Sequence, residues 1–92
     1  MYNEVRSVVE PKWSIKILSS LSEESPQNFS TIQEQFDTSN DVITARLRLL
    51  AEYDLIDRRE RTRRDVRYSI TERGERFLDE LRDLNSLLSK GP

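Results

Sequence analysis

Six arginines lie within ten residues, between Arg58 and Arg67, and form the densest cluster of basic side chains in the sequence. A guanidinium group binds a phosphate through two parallel hydrogen bonds, so this density is typical of a surface that contacts a nucleic-acid backbone. Only Glu60 and Asp65 oppose the arginines within the stretch. A charged β-hairpin can also serve only to protect a sheet edge, and that explanation stays open. The predicted phosphate-binding residues are Arg58, Arg59, Arg61, Arg63, Arg64 and Arg67, of which Arg58 and Arg59 are also expected to pair in part with neighbouring carboxylates.

A second group of polar residues precedes the arginines and occupies one side of a predicted helix. Ile43, Leu47 and Leu50 follow the i, i+4, i+7 spacing of a buried helix face, and Ser39 is the predicted N-cap. The opposite side carries amide, hydroxyl and guanidinium groups, which hydrogen-bond base edges in the major groove of DNA. A simply solvated helix face explains the same residues equally well. The predicted groove-contacting residues are Ser39, Asn40, Asp41, Thr44, Ala45 and Arg48.

Two shorter helices must position this helix. Apolar spacing predicts a first helix over residues 12–21, and the capping-box pattern of Ser30 and Gln33 predicts a short second helix. Turn residues 37–40 then lead into the helix that carries Arg48. A short turn between two such helices makes them cross steeply and exposes one face of the second helix. This order predicts a helix-turn-helix.

The arginine-rich stretch itself is predicted as a β-hairpin. Val66, Tyr68 and Ile70 alternate with polar residues, as in a half-buried strand, and residues 56–60 are the predicted partner strand. A last helix is predicted over residues 71–89. The resulting order, ααα-ββ-α, predicts a mainly α fold with a small β-hairpin (α+β), the winged helix-turn-helix, with a long C-terminal dimerisation helix.

Leucines at a/d-like spacing follow one side of the last helix. A helix of about 18 residues spans ~27 Å, which is longer than so small a body covers. The stripe therefore predicts a homodimer interface to which valines of the N-terminal leader contribute, and packing on the domain's own core is the alternative. Trp13 and Phe29 are predicted core residues. The predicted interface residues are Val5, Val8, Val9, Phe77, Leu81, Leu84 and Leu88.

Composition limits the classes of function. The 92 residues fit one domain, with a leader (1–11), a core (12–74) and a C-terminal helix (75–92). Cysteine and histidine are both absent, which removes thiol chemistry, zinc–thiolate sites and the commonest general base. We therefore expect no enzyme, no metal site and no cofactor.

Charge and hydropathy point to the partner and the compartment. The net charge is −2, yet residues 1–45 carry a net −4 and residues 46–73 a net +3, so the positive field is local, as phosphates require. No apolar run approaches the ~20 residues that span a bilayer. We expect a soluble cytoplasmic protein, associated with a prokaryotic nucleoid, whose partners are double-stranded DNA and a second copy of itself.

Four segments resemble, in order, the pattern of HxlR-type winged helix-turn-helix regulators. KWSIKIL (12–18) resembles their KW-x-x-x-IL opening, and NFSTI (28–32) resembles their RF-x-x-L second helix. SNDVITARLRLLAEYDLIDR (39–58) is similar to S-x-x-x-L-x-x-RL-x-x-L-x-x-x-GL-x-x-R. VRYSITERG (66–74) is similar to V-x-Y-x-LT-x-x-G. The wider MarR and PadR winged-helix groups share much of this pattern.

The resemblance implies a homodimeric transcription regulator that binds a palindromic operator, with Arg46 and Arg48 on the recognition helix. The chain departs from the family in lacking the N-terminal cysteine with which many members sense redox state. Asp54 stands where the family usually has glycine, which requires a left-handed aspartate or an altered helix end. Asp41 adds a carboxylate to the recognition helix. The competing hypothesis is a winged-helix module that binds protein instead of DNA, because fold does not fix function.

Overall fold

The fold is seen in a computed structural model that describes residues 2–89. Five helices surround a small antiparallel sheet whose strand order is β1-β3-β2. This is the predicted winged helix-turn-helix, with a helix and a strand that the sequence analysis did not assign. The elements are α1 (Asn3–Val9), α2 (Ser14–Glu23), β1 (Gln27–Asn28), α3 (Phe29–Glu34), α4 (Asn40–Glu52), β2 (Ile56–Thr62), β3 (Asp65–Ile70) and α5 (Glu72–Ser89).

The N-caps of α3 and α4 test two predictions made from the local sequence. The hydroxyl of Ser39 accepts a hydrogen bond from the Val42 amide at 3.3 Å, which confirms Ser39 as the N-cap of α4. The predicted cap of the second helix was wrong. Asn28, not Ser30, caps α3, because its side-chain oxygen accepts from the Thr31 amide at 2.9 Å.

Strand β1 has only two residues and depends on a distant partner. Gln27 and Asn28 pair with Tyr68 and Arg67 of β3. The buried Gln27 amide donates to the carbonyl of Ser20 at 3.0 Å and to the carbonyl of Glu24 at 2.8 Å, which fixes the connection after α2. A polar dipeptide of this kind carries no periodic signal, so the three-stranded sheet replaces the predicted two-stranded hairpin.

The core lies between α2, α4, α5 and the sheet. Ile17, Leu18, Leu21, Ile32, Ile43 and Leu50 are all fully buried. Trp13 and Phe29 are half-buried and pack against this core, as predicted. Val8 is also in the core, at 2% exposure, so α1 docks on the body through a residue that was predicted for a dimer interface.

The connections before and after the hairpin are tied together. Asp54 has φ 59°, so of the two alternatives at this position the structure has the left-handed aspartate and not the altered helix end. The hydroxyl of Thr71 donates to the carbonyl of Asp54 at 2.7 Å and accepts from the Gly74 amide at 3.0 Å. Thr71 therefore caps α5, as predicted, and also joins the residues that precede and follow β2 and β3.

Candidate nucleic-acid interface

Helix α4 presents one polar side to solvent. Its inner residues Ile43, Leu47 and Leu50 are buried, so at 100° per residue the opposite side must face outward. This placement agrees with the predicted face. Asn40, Asp41, Ala45 and Arg48 are exposed, and Thr44 is half-buried.

Arg48 is the free cation of this exposed side. Within residues 2–89, no carboxylate oxygen lies within the 4.0 Å ion-pair limit of its guanidinium group. Asp41 lies two turns earlier on the same side of the helix and is also exposed. The face therefore offers guanidinium, amide and hydroxyl donors, together with the carboxylate acceptors of Asp41 and of Glu52 at the end of the helix.

Arg46 does not share this outward face. It is half-buried on the shoulder of α4, and its Nε atom donates to the carbonyl oxygen of Lys12 at 2.7 Å. A single hydrogen bond leaves the other guanidinium N–H groups available. The predicted DNA contact of Arg46 remains a prediction, but the residue also connects α4 to the start of α2.

The wing is the hairpin of β2 and β3, closed by the two-residue turn Arg63–Arg64. The register shifts by one residue between Glu60 and Thr62, so Arg61 is the extra residue of a bulge. The hydroxyl of Thr62 accepts hydrogen bonds from the amides of Arg64 at 3.3 Å and of Asp65 at 3.1 Å. The turn is thus fixed by side-chain capping while both arginines project at the tip.

Four of the six wing arginines have carboxylate partners. The N···O distances are 3.4 Å for Arg58–Glu60, 3.1 Å for Arg59–Asp57, 3.0 Å for Arg67–Asp65 and 3.8 Å for Arg61–Asp65. The expected partial pairing of Arg58 and Arg59 is confirmed. Pairs this exposed contribute little to stability because solvent screens them, so a phosphate competes with them readily.

Arg63 and Arg64 differ from the other four. Both are fully on the surface, and among the described residues neither has a carboxylate within ion-pair distance. The tip of the wing is therefore its least neutralised part. Two guanidinium groups without an ion-pair partner in residues 2–89 are available there.

Arg58 stays charged under all working conditions. The nearness of Tyr68, its cross-strand partner, is the largest cause that raises the pKa of Arg58, and Glu60 adds to it. A guanidinium group is not deprotonated in proteins even without such neighbours. The stem of the wing therefore carries a permanent cation beside an aromatic ring.

Neither a metal site nor a membrane span finds support in residues 2–89. No group of three or more acidic residues, histidines or cysteines in that range is arranged to hold a metal ion. None of the helices described is long and apolar enough to cross a membrane.

The fold and this surface define a winged helix-turn-helix protein, and comparison with known sequences gives the family. Residues 8–90 match the HxlR-like helix-turn-helix family, so the chain belongs to that family. It is therefore a DNA-binding transcriptional regulator. No curated protein matches the chain significantly.

Solved structures of transcriptional regulators have the same fold. The reduced form of the regulator YodB from B. subtilis has a TM-score of 0.77 at 21% identity, covering 89% of this chain and 82% of its own. A protein assigned to the MarR family of transcriptional regulators, from Enterococcus faecalis, has a TM-score of 0.79 at 22% identity, covering 89% and 76%. A possible HxlR-family transcriptional factor from Thermoplasma volcanium has a TM-score of 0.74 at 26% identity, covering 92% and 78%.

Proposed function

We propose that this protein binds an operator in double-stranded DNA as a homodimer and represses transcription by occluding the promoter. The observation that carries the proposal is that two exposed surfaces of one small body each carry arginine side chains without an ion-pair partner among the described residues. One is the outward side of α4 with Arg48, and the other is the wing tip with Arg63 and Arg64.

The outward side of α4 is the proposed base-reading surface. The helix enters the major groove with its N-terminal residues first, as in other helix-turn-helix proteins. Arg48 donates two hydrogen bonds to guanine, and the side-chain amide of Asn40 bonds to adenine. The hydroxyl of Thr44 both donates and accepts hydrogen bonds, so it suits more than one base. Asp41 can accept only from the amino groups of cytosine N4 or adenine N6, and it therefore disfavours guanine and thymine at its position.

The wing supplies affinity without base preference. Phosphate contacts fix the register of a protein on the duplex and carry no direct sequence information. Arg63 and Arg64 release counterions most effectively because they lack internal carboxylate partners. The paired arginines Arg58, Arg59, Arg61 and Arg67 exchange a weak ion pair for a phosphate.

A second copy of the chain is the proposed occupant of the α5 surface. Leu84, Leu87 and Leu88 are 53%, 70% and 84% exposed, and Val5 and Val9 of α1 are 44% and 39% exposed. Such consecutive apolar exposure is unusual for a monomer. Within the predicted interface, Val8 is buried and Phe77 and Leu81 pack partly on the protomer's own core, so the exposed residues carry most of the proposed contact.

Selection from random duplex DNA tests this function. We expect enrichment of a palindrome whose half-sites lie ~34 Å apart, one helical turn, because two α4 helices related by a dimer axis enter successive major grooves. The oligomeric state is recorded on the same sample by sedimentation. If no motif is enriched while the protein is folded and dimeric, the function as a protein-binding module gains the support that this proposal loses.

A further inference from the structure

Three cations lie together where the start of α2 meets α4, and two of them, Lys12 and Lys16, have no role in the interface described above. Lys12 and Lys16 are exposed and Arg46 is half-buried. None of the three has a carboxylate oxygen within ion-pair distance in the part of the chain that the structure covers. We call Lys12, Lys16 and Arg46 the α2–α4 cation cluster.

An aromatic ring holds the two lysines. The Nζ atoms of Lys12 and Lys16 each lie 5.2 Å from the centroid of the Trp13 ring, within cation–π distance. The ring packs on Phe36 with a centroid distance of 5.6 Å and an interplanar angle of 58°. Phe36 lies just before the turn into α4. The Trp13 ring that both ammonium groups contact therefore packs on the segment that positions the recognition helix.

A backbone contact fixes the cluster to α4 itself. Arg46 Nε donates to the carbonyl oxygen of Lys12 at 2.7 Å, across 34 positions in sequence. Arg46 lies on the shoulder of α4, between its buried side and the outward side that carries Arg48. The start of α2 therefore flanks the helix that is proposed to enter the groove.

The backbone at this point is strained and the charge is uncompensated. Trp13 has φ 80° and ψ −17°, a left-handed conformation that is rare for an aromatic residue. Strained positions of this kind persist only where the surroundings fix them, and they concentrate at ligand clamps. Residues 1–45 have only three basic groups against seven acidic ones, and two of the three converge on one ring.

We propose that Lys12 and Lys16, held by Trp13 and by the contact of Arg46 with the Lys12 backbone, form a second phosphate-binding site. It takes the DNA backbone that borders the major groove occupied by α4. The proposal rests on the proposed function, because it presupposes that α4 enters the groove. It adds to the wing a second anchor of the recognition helix, located in the otherwise acidic half of the chain.

The test compares the intact chain with Lys12→Gln/Lys16→Gln on a duplex of mixed sequence, of about 24 base pairs, over roughly 50 to 200 mM salt. At roughly 0.9 per phosphate contact, the slope of log K against log salt should fall by about 1.8 per bound subunit. Affinity should fall at least tenfold near 100 mM. Lys12→Arg/Lys16→Arg should have the salt slope and the affinity of the wild type, because arginine also binds phosphate.

Arg6→Gln is the matched control. Arg6 is an exposed cation of α1 that already pairs with Glu10 at 2.6 Å, so its removal should leave the slope unchanged. Since Lys12 and Lys16 are exposed, all variants should keep the thermal unfolding midpoint of the wild type. A double glutamine variant with the wild-type slope and affinity would overturn the proposal.

Trp13 provides an independent readout. It is the only tryptophan of the chain, so intrinsic fluorescence reports on the ring that both lysines cover. DNA should change this fluorescence in the wild type and not in Lys12→Gln/Lys16→Gln. An equal change in both proteins would overturn the site while leaving DNA binding intact, whereas a wild type that binds no duplex would overturn the proposed function and this site with it.

Discussion

Gly74 approaches the carbonyl group of Leu55 so closely that a β-carbon on Gly74 would lie 2.1 Å from that oxygen and 2.7 Å from Cγ1 of Ile70. The same Leu55 oxygen accepts a hydrogen bond from the Thr71 amide at 3.0 Å. The first turn of α5 is therefore pressed against the residue that leads into the wing. This close contact explains why glycine ends the TERG segment. A left-handed backbone does not explain it, because the φ of Gly74 is negative.

Gly74→Ala should consequently destabilise the protein. Helix propensity alone favours alanine by about 1 kcal/mol in a helix interior, whereas forcing a methyl group against fixed atoms costs about 1–3 kcal/mol. We expect the clash to exceed the propensity gain, because a backbone oxygen cannot rotate away. Urea unfolding should show a lower midpoint with an unchanged m value. Ser86→Ala on the exposed part of α5 is the control, and a higher midpoint for Gly74→Ala would contradict the close approach.

Asp54 offers the opposite case of a residue that glycine should suit. Its left-handed backbone is costly for residues with a β-carbon, by roughly 1–2 kcal/mol and less for aspartate. Asp54→Gly should relieve this cost, but glycine also has more conformational freedom in the unfolded chain, which offsets part of the gain in stability. The net effect should be neutral or stabilising by up to about 0.5 kcal/mol. Asp54→Val should lose about 1–2 kcal/mol. Equal midpoints for the glycine and valine variants would show that this conformation does not limit stability.

Sequence predicted those parts of the fold that depend on local signals. The apolar spacing of α4, the Ser39 cap and the alternation of β3 all lie within a few residues of the atoms that they organise. A family pattern with glycine at position 54 left two alternatives, a left-handed aspartate or an altered helix end, and the structure has the first. The arginine density and the helices that precede it favoured a phosphate-binding wing, and the contact of its tip with phosphate stays a prediction.

The remaining features depend on contacts between distant residues. Strand β1 exists because Gln27 and Asn28 meet β3, about 40 positions away. Helix α1 has seven residues, too few to be stable in isolation, and it forms around the single buried residue Val8. Periodicity places Arg46 on a shoulder of α4, but its bond to the Lys12 carbonyl spans 34 positions and could not be predicted from it.

Removal of the two wing-tip guanidinium groups should weaken binding to all DNA sequences alike. Arg63 and Arg64 contact phosphates in the proposed complex, so Arg63→Ala/Arg64→Ala should reduce the salt slope by about 1.8 per subunit, at roughly 0.9 per phosphate. Titrations of an operator and of an unrelated duplex at several salt concentrations measure this effect. Arg82→Ala is the control, because Arg82 lies on α5 and pairs with Asp79 at 2.9 Å. Loss of discrimination between the two duplexes would instead assign the wing tip to base reading.

Replacement of Arg48 should have a different signature. A bidentate contact from arginine to guanine contributes about 1–3 kcal/mol of discrimination against the wrong base. Arg48→Ala should therefore flatten the preference at one base step per half-site, with little change at the other steps. Parallel selections with the wild type and the variant measure this directly. Uniformly weaker binding with an unchanged motif would make Arg48 a phosphate contact.

The dimer surface can be tested without damage to the protomer. Leu84 and Leu88 are 53% and 84% exposed, so Leu84→Asp/Leu88→Asp removes little core packing. In a leucine seam, however, unpaired carboxylates must be desolvated, which should weaken dimerisation by at least about 3 kcal/mol, or two orders of magnitude in Kd. Sedimentation should show folded monomers, whereas Ser30→Asp on α3 should remain dimeric. The monomers should also lose preference for two half-sites ~34 Å apart, because that spacing depends on two recognition helices joined through α5. A charged variant that remains dimeric would place the interface elsewhere and remove α5 from the explanation of operator symmetry.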